Sequence, residues 1–252
     1  FGRRSEAQKH FNAVLSEGPL DEEAGQALEG LYEETGSHEA LAALLSRRLS
    51  HVNERGDRVR LLARIASIHL DKLDDAVTFL DWIGRARELK ADDPAVVELL
   101  IRYHERTGDL SELIPLLSWY VNYLEARRDF REAGQHAHRL ARYHIDRDAW
   151  DEAGVYARMA TRYDPENHEP MLTYAAILEH DGEWDLARNV YQSILMLEGR
   201  LDDPSVRADV FFRMARVCHE LKDSGRTRQY LERCLMIDPD HEAAQRLAES
   251  LK

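Results

Sequence analysis

The sequence predicts an all-α protein, an α-solenoid of tandem helix-turn-helix repeats, and three observations carry that expectation. Breakers recur at a fixed interval, the apolar residues between them follow a helical period, and breakers are otherwise scarce. Pro19, Pro94, Pro165 and Pro239 are separated by 75, 71 and 74 residues, and Gly36, Gly108 and Gly182 by 72 and 74. Each gap is two units of about 36 residues, and Pro204 lies 35 before Pro239, which recovers an intermediate unit directly. Seven prolines and thirteen glycines in 252 residues leave long stretches free to be helical, and 44% apolar residues suffice for a continuous core.

Asp-Pro pairs recur at Asp93-Pro94, Asp164-Pro165, Asp203-Pro204 and Asp238-Pro239. The aspartate is suited to cap orphan amides and proline tolerates the first helical turn, so each pair is expected to open a helix.

Within a unit, Met171, Tyr174, Ala175 and Leu178, then Gly182, Trp184, Ala187, Tyr191, Ile194 and Leu195, are spaced as two amphipathic helices joined by a glycine turn. This order of large, large, small, large, Gly, aromatic, small, aromatic resembles the tetratricopeptide repeat (TPR). The same frame fits Ala137, Leu140, Ala141, His144, Trp150, Ala153, Ala157, Ala160 and Pro165. It also fits Phe211, Met214, Ala215, Cys218, Leu231, Cys234 and Pro239, with Thr227 in place of the usual alanine and Lys222 where glycine is expected. That last turn is expected to be looser.

Earlier units are more degenerate. Leu28, Tyr32, Gly36, Leu41, Leu45 and Leu49 form one. Leu62, Ala63, Ala66, Ala76, Leu80 and Ile83 form the next, with a turn one residue longer, and Val97, Leu100, Ile101, Gly108, Leu113 and Leu117 a third. Ala7, Phe11, Val14, Leu15 and Pro19 match the second helix of a preceding repeat, as expected of a piece excised from a longer array or of a divergent cap. Ala244, Leu247, Ala248 and Leu251 form one apolar stripe, as a terminal capping helix would. The frame therefore divides residues 1–252, read as a single solenoid, into a half repeat over 1–19, repeats over 20–53, 57–91, 94–126, 130–164, 166–200 and 204–238, and a capping helix over 240–252.

Stacked helix pairs bury their stripes against neighbours and leave a superhelix with a concave inner face. The resemblance implies a right-handed superhelix and a groove lined by the first helix of each pair. Inner positions, taken about 130° from the buried side at 100° per residue, give Arg60 and Arg64, then Glu98, Arg102 and Glu105, then His138 and Arg142. Leu172 follows with Ala176, then Phe212, Arg216 and His219. Glu23, Gln26 and Gly30 hold these positions in the first full unit.

Arg64, Arg102, Arg142 and Arg216 form a row unexpected in a chain of net charge −13. Two readings stand: local acids pair with these arginines, or the row recognises carboxylates or phosphates by forked hydrogen bonds. Chaperone-binding members of the family hold a terminal carboxylate with Lys and Asn at inner positions. This sequence lacks those asparagines, and it lacks the asparagine ladder of the glycosyltransferase-linked repeats.

The negative charge argues against a nucleic-acid binder, which needs a surplus of Lys and Arg. Only five lysines occur, a bias toward arginine that points to a GC-rich bacterial genome. Cys218 and Cys234 lack the paired spacing of a zinc site and read as buried thiols. No run approaches the roughly 18 apolar residues of a membrane span, and no signal-peptide core is visible, so no membrane insertion and a cytoplasmic location are expected.

No catalytic, metal or cofactor site is expected. His136 and His138 point about 200° apart on a helix and cannot share a metal. The acid-rich turns lack the ligand order of a calcium loop, and no phosphate loop or nucleophile elbow occurs. Trp82, Trp119, Trp150 and Trp184 read as packing residues. Two functions remain: a scaffold binding a protein or peptide, acidic or carboxylate-bearing, within a bacterial assembly for secretion, motility, polarity or envelope biogenesis; or a regulatory or substrate-presenting arm of a larger enzyme.

Overall fold

The computed structural model describes residues 2–17, 21–197, 201 and 203–251, with side chains for 6–14 in the first of these segments. Pro19 and the side chain of Leu15 therefore lie outside the described residues, as do 198–200 at the end of the repeat expected over 166–200. Among the described residues are fourteen α-helices and no strand. They form two compact units, Phe1–Leu116 and Leu117–Lys252.

The first unit holds α1 (Gly2–Glu17), α2 (Glu22–Thr35), α3 (His38–Leu49), α4 (Arg55–Asp71), α5 (Ala76–Leu89), α6 (Pro94–Thr107) and the start of α7 (Leu110–Ala126). Its core follows the apolar stripes: Leu28, Leu45 and Ile65 pack in one cluster, and Leu62, Phe79, Ile83 and Leu100 in the next. The second unit holds the rest of α7, then α8 (Phe130–Ile145), α9 (Trp150–Tyr163), α10 (His168–His180), α11 (Trp184–Met196), α12 (Pro204–Glu220), α13 (Ser224–Ile237) and α14 (Glu242–Ser250). Here α8 packs on α9 and α10, and α10 on α11; α13 packs on both α12 and α14. Ala244 of α14 is fully buried, with Leu247, Ala248 and Leu251 packed beside it.

Each first helix turns into its second through one residue in the left-handed region. Gly36, Gly108 and Gly182 take it without a Cβ penalty, and Asp74, Asp148 and Lys222 take it at φ 51°, 58° and 59°. The turn at Lys222 is not looser than the others. Asp223 N donates to Cys218 O at 2.9 Å, as Glu183 N does to Leu178 O at 2.8 Å beyond Gly182. The helix C-terminal bonds thus impose the conformation even where the side chain opposes it. The α4–α5 turn is one residue longer, as expected: Asp75 N reaches back six residues to His69 O.

Two expectations need correction. Asp93-Pro94 and Asp203-Pro204 do open α6 and α12, their aspartates accepting from Ala95 N and Ser205 N. Asp164-Pro165 and Asp238-Pro239 instead form tight turns, closed by Asn167 N to Asp164 O at 3.1 Å and His241 N to Asp238 O at 3.3 Å, and the helices begin later. Proline suits the second position of such a turn as well as a first helical turn, so the dipeptide alone does not choose. In α5 the buried residues are Phe79, Ile83 and Ala86, while Ala76 is exposed and Leu80 is 45% exposed. The buried stripe therefore begins three residues later than expected.

That shift restores a common register. The fourth residue of each second helix is buried: Leu41, Phe79 and Leu113 in the first unit, Ala153, Ala187 and Thr227 in the second. Thr227 satisfies its buried hydroxyl by donating to Asp223 O at 2.8 Å. Pro115, for which the apolar pattern made no allowance, sits inside α7 and removes the helical bond to Ser111 O.

Candidate functional site

The nine inner-face candidates all lie on first helices. In the first unit, Arg60 pairs with Asp57 one turn back on α4. Arg64, one turn further on, reaches α2: it holds Glu29, which is buried, and its second nitrogen lies 2.9 Å from Glu33. Arg48 of α3 grips the other oxygen of Glu29, so a carboxylate that would be costly to bury alone is held from two sides. On α6, Arg102 lies 2.6 Å and Arg106 2.8 Å from the two oxygens of Asp71, at the end of α4.

In the second unit, Arg216 of α12 lies 3.5 Å from Glu179 of α10, a nearly buried carboxylate that also accepts from the Tyr191 hydroxyl. Burial, then the neighbouring Glu179 charge, push that phenol above its ordinary range. Phe212 packs against the His241 ring at 4.8 Å and Leu172 is half-buried in the core of its own unit, so these two are mainly packing residues. His219 is exposed near the end of α12.

His138 and Arg142 of α8 differ from the rest. His138 Nε2 lies 2.8 Å from Thr173 Oγ1 of α10 and ties the two first helices together. Burial holds its pKa below the ordinary value; Glu169 opposes this and Arg142 adds to it. Arg142 is exposed and, among the described residues, enters no ion pair. Both side chains line a cleft of ≈ 350 Å³ between α8 and the start of α10, with Gln135, Asn167 and Glu169.

Three of the four arginines in the row are therefore engaged by carboxylates of the preceding first helix. Those acids, Glu29, Asp71 and Glu179, were not singled out from the sequence, although each precedes its arginine by roughly one repeat. Of the tryptophans, Trp150 stacks on His180 at 3.8 Å and Trp119 on Tyr123 at 5.4 Å. No helix among the described residues is long and apolar enough to cross a membrane.

No protein-family model and no curated protein matches the chain. Solved structures do. The C-terminal part of a TPR repeat-containing protein from Cytophaga hutchinsonii aligns with a TM-score of 0.64 at 13% identity, over 96% of this chain and 93% of that one. YrrB, a TPR protein with an unusual peptide-binding site, aligns at 0.56 and 14% identity, over 75% and 91%. PilF of Pseudomonas aeruginosa aligns at 0.50 and 14%, over 98% and 99%. The left-handed turns, the recurring buried residue of each second helix and these likenesses agree: this chain has the fold of the tetratricopeptide-repeat proteins, an all-α solenoid of tandem helix pairs.

Proposed function

We propose that the chain is a protein–protein interaction scaffold, and that Arg142 anchors an acidic or carboxylate-bearing segment of its partner. The observation that carries this is the contrast within the arginine row. Arg64, Arg102 and Arg216 are neutralised by Glu29 and Glu33, Asp71, and Glu179, whereas Arg142 offers a guanidinium to solvent beside an open cleft. Its planar fork suits a carboxylate, and an exposed charge costs nothing to desolvate until the partner arrives. YrrB, which shares the fold, has a peptide-binding site, and that likeness supports a peptide as the ligand class. The arginine bias supports a bacterial source and a place in one of that cell's multiprotein assemblies.

The test is a pull-down from the source cell with Arg142→Glu, checked by circular dichroism. Recovery of the partners should fall at least tenfold with helicity unchanged, since Arg142 belongs to no buried stripe. Arg102→Glu is the wrong probe, because it also sets two carboxylates against each other at Asp71. Undiminished recovery by folded Arg142→Glu would move the partner site to another face.

A further inference from the structure

The cleft beside Arg142 has a charge balance that a single histidine controls. Arg139 and Arg142 of α8 line it with Gly134, Gln135 and His138; Asp164, Asn167, Glu169 and Pro170 line it from the α9–α10 turn and the start of α10. With His138 neutral, the two guanidinium groups and the two carboxylates cancel. Thr173 donates its hydroxyl proton to Glu169 O at 3.2 Å, so it accepts from His138 Nε2–H at 2.8 Å. That leaves Nδ1 as the position for a further proton.

We propose that protonation of His138 turns this cleft from charge-balanced to net positive, and so strengthens capture of an anionic partner segment at Arg142 as pH falls. The proposal rests on the scaffold reading and adds its regulation. Burial keeps the proton off His138 in the free protein, with Arg142 assisting, while Glu169 favours it. A bound anion reverses that balance. By linkage, whatever the proton adds to anion affinity the anion returns as proton uptake. Uptake is then small at pH 7.5 and grows as pH drops below the ordinary histidine value of about 6.5. One added charge about 8 Å from the anion, in a solvated cleft, corresponds to roughly three- to fivefold in affinity.

A deca-aspartate peptide is a suitable probe, because its carboxylates stay ionised above pH 5.5. Its binding is measured by calorimetry at pH 7.5 and 5.5, at low salt, in two buffers of different ionisation heat. Wild type should bind more tightly at pH 5.5, by up to about fivefold, with net proton uptake. In His138→Gln, which keeps a donor for Thr173, the ratio between the two pH values should fall below that of wild type, the remainder coming from the other histidines; His138→Asn gives a second variant should the first misfold. An unchanged ratio in either folded variant overturns the switch alone. If Arg142→Gln binds the peptide as wild type does, or wild type binds at neither pH, the groove reading fails and the switch with it.

Discussion

Lys222 holds a left-handed backbone at φ 59° without the freedom of glycine. Its Cβ crowds the following carbonyl, a cost of about 1–2 kcal/mol, which the bonds closing the α12–α13 turn outweigh. Lys222→Gly should relieve that strain and lose part of the gain to the more flexible unfolded chain, for a net stabilisation of about 0.5–1 kcal/mol. Urea denaturation reads it as a higher midpoint at unchanged slope; a lower midpoint would mean that the lysine side chain contributes more than its backbone costs. Asp148→Gly should gain less, since aspartate tolerates this region better than lysine. At the same scale, the arginine row was legible in the sequence but its partners were not. Arg64 and Glu29 are 35 positions apart, and only the stacking of α4 on the preceding pair brings them into contact.

Among elements, the second helices differ systematically between the two units. Their fourth residue is Leu41, Phe79 or Leu113 in the first unit and Ala153, Ala187 or Thr227 in the second, all within 3% of full burial. The alanines leave no room for growth. Ala187→Leu and Ala153→Leu should each cost about 1–3 kcal/mol by overpacking, measured by thermal or urea unfolding. Tolerance of leucine at both sites would contradict the close approach of α9 to α8 and of α11 to α10. The α5 stripe shows why helix register was partly hidden. Ala76 and Leu80 fit a helical period as well as Phe79, Ile83 and Ala86 do, and the place of the left-handed residue Asp74, five before Phe79, decides between them. Pro115 was hidden for a related reason: neighbours Leu113 and Leu117 keep the apolar period across it, so the pattern continues where the hydrogen-bond ladder does not.

At the scale of the whole molecule, packing within each unit runs between helices one or two places apart along the chain, as in a repeat array whose stability is a sum of local terms. The end helix α14 then carries a distinct task. It covers Leu231 and Cys234 of α13, both nearly fully buried, and burial raises the Cys234 thiol to about 11, with Asp238 and Asp209 adding to it. Removing residues 240–252 should uncover that apolar surface, lower the melting temperature and promote association, seen by light scattering. Unchanged melting and a monodisperse sample would show that α13 needs no cover.

The all-α class, the helix pairs and most buried stripes follow from the order of residues, because spacing of three and four along one chain is enough to specify which face of a helix turns inward. Even the first helices that carry the candidate face followed from that period and the resemblance. Tertiary structure alone decided the charge state of that face. Whether an arginine is spent on a neighbour or left open depends on which side chains stacking brings within a few ångströms, a distance in space that sequence separation does not encode. It therefore took the packed helices to show Glu29, Asp71 and Glu179 closing three arginines, and Arg142 with His138 beside an open cleft.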